Sequence, residues 1–352
     1  MIEKIKIHDI LTRFPVFKKL ADFEILNAGL INETYRVEDT IGKKFLLQRI
    51  NTSIFNDVDS LMYNIKTVSS HIEKKLKKNK CNTVYQNVKY YPDKDGNMYI
   101  KETDNSLWRL SDYIEHVDSS INPQEQLASE TGRILAVFHL LTSDIGHDKL
   151  KITIPDFHNL IARHEQLKKI IDKKPARLEK SMEIYEELRE YEYLAEEFKN
   201  VISSDKLQYR TVHYDPKVSN ILFDENGKAM CLIDLDTLMP GYVNVDFGDA
   251  VRSLCNKADE NEKDYHKAGF DIEKYNIFKD SYLEVAGDFL SETEIALLPI
   301  FAMFITYEQA IRFFADYLEG DKYYKIDYPE QNLNRAYVQM ALVKDMKKKL
   351  FS

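Results

Sequence analysis

The chain has 352 residues, of which 44% are hydrophobic and 30% charged, which suits a folded protein with a core large enough to divide between two lobes and excludes a disordered chain. Its net charge of −9 is uneven: residues 1–113 carry 19 basic and 15 acidic side chains, and the remainder carries 30 and 43. The larger, acidic part would repel a polyanion, so a nucleic-acid partner is not expected. At the start of the chain, Glu3, Lys4, Lys6 and Asp9 interrupt what would have to be the apolar core of a signal peptide. No apolar run approaches the ~18 residues of a membrane span, and a cytoplasmic location is the expectation.

The first third alternates in the manner of a twisted sheet. Phe23–Leu26, Thr34–Val37, Lys44–Ile50, Thr83–Lys89, Met98–Glu102 and Leu107–Ile114 read as short strands, with Asp95-Gly96-Asn97 as a turn. One helix interrupts them: Leu61, Ile65, Val68 and Ile72 share a face, Asn56 or Asp57 can cap the start, and Lys74–Lys80 is its solvated end. Cys81, Cys231 and Cys255 are too far apart for a zinc pair, and the odd count argues against a disulfide framework. They are expected to be reduced and mostly buried.

After about residue 115 the period becomes helical. Leu127, Thr131, Ile134, Phe138 and Leu141 form one stripe, preceded by Asn122, Pro123 and Glu125 as N-cap, N1 and N3. Two long charged helical patterns occupy 157–203, and two more occupy 277–295 and 299–319. In the last, Ile300, Phe304, Tyr307, Ile311, Phe314 and Leu318 lie on one face. A β-hairpin, Ile221–Asp236, turns at Asp224-Glu225-Asn226-Gly227. The pattern predicts an α+β protein, a small mixed lobe over 1–114 followed by a mainly helical lobe over 115–352.

Chemistry concentrates around that hairpin. His213-Tyr214-Asp215-Pro216-Lys217-Val218-Ser219-Asn220 leads into it, and Ile233-Asp234-Leu235-Asp236 leads out. Pairing of the strands brings Asn220 and Asp234 together as an amide oxygen and a carboxylate for a hard cation such as Mg2+. Asp215 then stands nearer a reacting hydroxyl. Phosphoryl transfer needs charge neutralisation, in-line positioning and an acceptor for the hydroxyl proton, and this set supplies those parts.

The order His213…Asp215…Asn220…Asp234 resembles the catalytic loop and metal Asp of protein-kinase-like folds, in the version of the aminoglycoside phosphotransferase and choline kinase branch. The run Ile233–Gly241 followed by Asp246-Phe247-Gly248-Asp249-Ala250-Val251-Arg252 is similar to the N-acetylhexosamine 1-kinase group. Gly29–Tyr35, Leu47–Asn51 and Asn332–Ala336 extend the resemblance over residues 27–340. It implies a two-lobe kinase-like fold, ATP and Mg2+ as cofactors, and a monomer or weak dimer. The implied acceptor is a sugar, at best the anomeric hydroxyl of an N-acetylhexosamine. The alternatives are another small alcohol (other sugar, amino alcohol, aminoglycoside) and a catalytically weak nucleotide-binding regulatory module.

The same resemblance assigns further roles. Asp246 matches the family's structural Asp, which braces the catalytic loop; His213 orients the loop rather than acting as a base, and Lys217 either steadies the transferring phosphoryl group or is a solvated lysine. Asp236 assists the metal or accepts backbone N–H groups. The family's strand lysine is replaced by Arg49 or, in the other register, Gln48, unless Arg49 is simply an outward-facing strand arginine, and Asn64 stands where its carboxylate partner is expected. Gly29 is the lone glycine between the first two strands, so Asn32 or backbone N–H groups join it at the phosphates. The adenine is expected near Asp112–Glu115, at Tyr113. On the helix at 299–319, Glu308, Arg312 and Asp316 border the apolar face at i,i+4 spacing. They form either a cleft wall for sugar hydroxyls or a salt-bridge ladder. The resemblance favours Arg312 as a sugar contact. Arg312 also speaks against a polycationic acceptor, and choline would require an aromatic cage.

Overall fold

Alternation of inward and outward residues builds the first lobe into an antiparallel sheet. The computed structural model describes residues 2–26, 31–78 and 85–351. Helix α1 (Ile2–Leu11), which the sequence pattern did not announce, precedes strands β1 (Leu20–Leu26), β2 (Glu33–Asp39) and β3 (Lys44–Ile50). Helix α2 (Val58–Lys78) follows, then β4 (Tyr90–Tyr91), β5 (Ile100–Lys101) and β6 (Leu107–Asp112). The strand order is β1-β2-β3-β6-β4, with β5 on β6.

Register decides which residues share a face. Gln48 lies opposite Thr34 on β2 and Arg109 on β6, so these three form one row facing the second lobe. Val37, Phe45, Leu47, Trp108 and Leu110 turn the other way and bury Ile7, Ile10 and Leu11 of α1. The strand expected at Thr83–Lys89 does not form over its described part, 85–89. The Gln86 N–H bonds the Met230 carbonyl at 2.8 Å, so the hairpin of the second lobe captures this segment before the sheet begins at Tyr90.

Asp57, not Asn56, caps α2: its carboxylate accepts the Ser60 N–H at 3.0 Å and the Ser60 hydroxyl at 2.7 Å. The buried face of α2 (Leu61, Ile65, Val68, Ile72) packs into the core of the helical lobe. By packing, α2 therefore contributes to the core of the helical lobe, although it precedes residue 114 in the chain.

That lobe contains α3 (Gln124–Thr142), α4 (Leu160–Asp172), α5 (Met182–Glu190), α6 (Tyr193–Ile202), β7 (Arg210–Val212), β8 (Ile221–Phe223), β9 (Ala229–Leu232) and β10 (Met239–Gly241). It ends with α7 (Val243–Leu254), α8 (Ile272–Ala286), α9 (Glu292–Glu319) and α10 (Gln331–Leu350). Asn122 does not cap α3. Its amide donates instead to the Gly227 carbonyl at 3.2 Å, and the helix starts after Pro123. Gly227 has φ of +74°, and a Cβ there would lie 2.1 Å from Asn122 Oδ1, so both backbone and space require glycine.

Residues 157–203 hold three helices where two were expected. The pattern at 277–295 is broken by the capping box of Ser291 and Glu294, which starts α9. Cys231 and Cys255 are free and buried; Cys81 lies outside the described residues. By length and composition α9 could cross a membrane, but it is enclosed by α4, α7 and α10 and buried along most of its length.

The α7–α9 crossing depends on Gly248. A Cβ there would sit 2.6 Å from the Phe301 carbonyl oxygen. Gly248→Ala is expected to lower stability by about 1–3 kcal/mol through overpacking, measured by urea unfolding. A loss below a few tenths would mean that the two helices separate freely.

Candidate active site

The loop between β7 and β8 is held by α7. β7 pairs with β10, which aligns the ends of the loop region. The fully buried Asp246, in the first turn of α7, accepts the His213 and Tyr214 N–H groups, each at 2.7 Å. It also lies 2.9 Å from His139 Nε2, whose Nδ1 is 3.0 Å from the Tyr282 hydroxyl. These contacts hold Tyr214 at φ +65°, a left-handed conformation that a bulky L-residue adopts only when its surroundings enforce it.

His213 has both ring nitrogens engaged. Nδ1 accepts the Asp215 N–H at 3.3 Å, which leaves Nε2 to donate to the Ile233 carbonyl at 2.9 Å. Burial pushes its pKa below the ordinary histidine value, consistent with this neutral tautomer. It is an internal brace and has no nitrogen left for an acceptor.

Asp215 is anchored through one oxygen. Oδ2 accepts from Lys217 Nζ at 2.8 Å and Asn220 Nδ2 at 2.9 Å, and the same amide donates to the Asp215 carbonyl at 2.8 Å. Among the described residues no donor meets Oδ1. Spending Asn220 Nδ2 on Asp215 also leaves Asn220 Oδ1 as an oxygen donor. The Ile233 N–H bonds the Asn220 carbonyl at 2.9 Å, which sets Asp234 beside Asn220 at the mouth of the hairpin.

Asp234 is a non-glycine residue at φ +62°. No hydrogen bond to its carboxylate is found among the described residues. Surrounding protein atoms, then the charges of Asp236 and Asp215, raise its pKa to about 7, although the residue itself is exposed. An oxygen pair with surplus negative charge and no protein donors fits a hard divalent cation. Burial opposes the charge on Lys217, but Asp215, Asp234 and Asp249 around it raise its pKa above the ordinary lysine value. It therefore stays cationic between the carboxylates.

Asp236 is buried. It accepts a bidentate pair from Arg109, at 2.5 and 2.9 Å, and the Asn32 amide at 2.7 Å. Arg109 is 1% exposed and also donates to Gln48 Oε1 at 3.1 and 2.9 Å. Asn32 Oδ1 accepts the Asn51 N–H at 3.0 Å. Gln48 and Asn32, both expected at the nucleotide, are thus committed to a network that joins the sheet to the metal-side loop. Arg49 points to the opposite face and pairs with Glu33 at 2.8 Å near the surface. Neither register gives a free cation at the expected lysine position. Asn64 clamps backbone, donating to the Lys151 and Leu238 carbonyls and accepting the Lys151 N–H, each at 2.8 Å.

Arg109 is the main residue the sequence reading missed. A lone arginine in the otherwise uncharged run Leu107–Ser111 was the available signal. Gly29 lies outside the described residues. Tyr113, just beyond β6, is half-buried beside Arg36 and His116.

The three candidates on α9 separate. Glu308 is fully enclosed: Oε2 meets His158 Nδ1 at 2.5 Å, and Oε1 lies 3.6 Å from Arg163 Nε. Asp316 is consumed by the turn after α9, where it accepts the N–H groups of Lys322, Tyr323 and Tyr324 and the Asn332 amide. Both are buried. Arg312 hydrogen-bonds Gln309 at 3.0 Å instead of either carboxylate, so the i,i+4 ladder does not form. Its guanidinium sits among Phe157, Tyr323 and Tyr324, 5.3–5.9 Å from their ring centres. Nearby, Asp249 Oδ1 accepts Arg252 Nε at 2.9 Å, while its buried Oδ2 has no hydrogen-bond partner among the described residues. Burial would raise the Asp249 pKa, but Arg252, His158 and Lys217 hold it below the usual range.

Comparison with known proteins agrees with this geometry. The profile of the phosphotransferase enzyme family APH matches residues 22–278. Among solved structures, the chain is similar to an amicoumacin kinase in complex with AMP-PNP and Ca2+, with TM-score 0.63 and 12% identity over 99% of this chain and 96% of that one. It is similar to an aminoglycoside phosphotransferase from Alicyclobacillus acidocaldarius, with TM-score 0.61 and 13% identity over 97% and 95%. A microcompartment-associated aminopropanol kinase gives TM-score 0.60 and 15% identity over 97% and 96%. At these identities the structural likeness establishes the two-lobe kinase-like fold.

Proposed function

Because the chain belongs to the APH family of phosphotransferase enzymes, we propose that it is an ATP- and Mg2+-dependent kinase of a sugar hydroxyl, the anomeric hydroxyl of an N-acetylhexosamine. The observation that carries the chemistry is the two-sided use of Asp215. Oδ2 is pinned by Lys217 and Asn220, and Oδ1 is left to accept the proton of the attacking hydroxyl. Lys217 keeps a positive charge where the transferred group would carry negative charge. Asn220 Oδ1 and the Asp234 carboxylate would hold Mg2+, which neutralises the phosphates when bound.

The acceptor reading rests on the surroundings of Arg312. Phe157 packs against both Tyr214 and His158, so the aromatic surface beneath Arg312 continues to the loop of Asp215. An apolar plane with a guanidinium fork suits a sugar ring and its acyl oxygen. Arg312, hydrogen-bonded to Gln309 and to neither carboxylate of α9, disfavours a cationic acceptor, such as the amino alcohol of the aminopropanol kinase that this chain resembles. A cytoplasmic, monomeric or weakly dimeric enzyme with lobes meeting near residue 114 completes the proposal.

The test is Mg2+-dependent ADP release with a panel of N-acetylglucosamine, N-acetylgalactosamine, glucose, galactose, choline, homoserine and kanamycin. Turnover confined to the N-acetylhexosamines is expected; turnover with choline or kanamycin alone would discard the sugar assignment. Arg312→Ala is expected to raise the acceptor KM by on the order of 10-fold or more, the value of one lost charge-assisted contact, with the KM for ATP little changed. Equal changes in both would remove Arg312 from the acceptor site.

A further inference from the structure

We propose that His158 is a positioning residue of the transfer reaction, a buried imidazolium that ties α9 to the peptide preceding Asp215. The proposal extends the reading of Asp215 as base. His158 lies just before α4 and is buried. Its two nitrogens face acceptors only: Nδ1 is 2.5 Å from Glu308 Oε2, and Nε2 is 3.1 Å from the Tyr214 carbonyl oxygen. A neutral imidazole has one N–H and would set a lone pair against either the carboxylate or the carbonyl. The doubly protonated ring satisfies both.

The groups around it agree. Glu308 and Arg312 approach from α9, Arg163 from α4, and Asp249, itself paired with Arg252, from α7. Tyr214 stacks on the ring at 18°, and Phe157 meets it edge-on. Glu308 is 0% exposed, so it needs a permanent cation, and Arg163 Nε remains 3.6 Å away without a hydrogen bond. Burial opposes the charge on His158, but Glu308 more than compensates and raises its pKa above the ordinary histidine value.

The consequence falls on one peptide unit. His158 holds the Tyr214 carbonyl, and neutral His213 accepts the Asp215 N–H of the same peptide. Asp246 holds the Tyr214 N–H. Two histidines of opposite protonation thus fix both polar groups of the peptide from which the Asp215 side chain departs. They stabilise the left-handed Tyr214 conformation that aims it.

The test is long-range 1H–15N correlation of the histidine rings in the full-length protein between pH 6 and 9, combined with kcat. Wild-type His158 is expected to show two protonated nitrogens at pH 7.5, whereas His213 shows one. In Glu308→Gln, His158 should be neutral at pH 7.5. kcat should then fall by about 100-fold, the scale of a ~1 Å misplacement of a reacting group, with the KM for ATP unchanged. Because this variant lowers the pKa of His158, its activity should recover as pH falls toward 6 while the wild type does not gain. A neutral His158 in the wild type, or Glu308→Gln with an unaltered kcat and pH profile, would overturn the proposal. The wild-type titration decides the case even if the variant fails to fold. Asp215→Asn separates the two readings: turnover surviving in it removes Asp215 as base, while the His158 signals still report on the imidazolium.

Discussion

Asp215→Asn is expected to lower kcat by about 10²–10⁴-fold, the contribution of a positioned general base, while nucleotide binding is retained. The substitution is conservative in structure. An amide oxygen can still accept from Asn220 Nδ2 and Lys217 Nζ, the two donors that now meet Oδ2. Only the second oxygen, Oδ1, is replaced, by an amide nitrogen that cannot take up the proton the proposed base must accept. Thermal unfolding should change by no more than about 1 kcal/mol, the net value of a typical hydrogen bond. Isothermal titration with ATP and Mg2+ checks the first half of the expectation, and single-turnover ADP release checks the second. Turnover equal to wild type, with the protein folded, would remove Asp215 from the chemistry. A parallel loss of nucleotide binding would make it part of the metal site.

Arg109→Met should be the most destabilising single change outside the apolar core, at about 3–5 kcal/mol, because it leaves the Asp236 carboxylate buried without its cation. Arg109 and Asp236 are 1% and 3% exposed. Burial works against the Arg109 charge, yet Asp236, Tyr90 and Asp234 keep it firmly protonated. Asp236 is two residues from Asp234, and its remaining contact is Asn32. Loss of Arg109 should therefore also loosen the metal-side loop and raise the Mg2+ concentration needed for half-maximal turnover. Arg109→Met combined with Asp236→Asn should recover most of the stability but not the Mg2+ dependence. Urea unfolding of the two variants measures this. A loss under 1 kcal/mol for the single variant would show that water reaches Asp236 and that the pair behaves as a surface salt bridge.

This pair changes how the absence of a strand lysine is understood. In the fold that the chain adopts, the sequence led one to look for a cation at Gln48 or Arg49. The structure instead anchors a cation one strand over, at Arg109, and aims it at the Asp236 carboxylate, two residues from Asp234. Asn64 on α2, where a carboxylate was expected, clamps Leu238 and Lys151 by uncharged hydrogen bonds. Sheet, helix and metal-side loop are joined without the usual lysine.

What the sequence by itself determined is what local geometry dictates. The turn at Asp224–Gly227 closes a hairpin, and a closed hairpin must bring Asn220 beside Asp234, so the spacing alone juxtaposes them. The strand row containing Lys44–Ile50 and the long stripe of α9 follow from period in the same way. Tertiary structure decided everything that depends on a distant partner. Strand alternation puts Gln48 and Arg49 on opposite faces, but only the docking of α1 on one face makes Gln48 the inward residue. Glu308, Arg312 and Asp316 are equivalent by helical spacing. They part company because His158, 150 positions earlier in the chain, reaches Glu308, and because the chain reverses at Gly320, φ +94°, and spends Asp316 on its own backbone. Arg109 and Asp236 are 127 residues apart. Each looks like a solvated charge until folding removes the water, and then burial leaves each as the other's principal counter-charge.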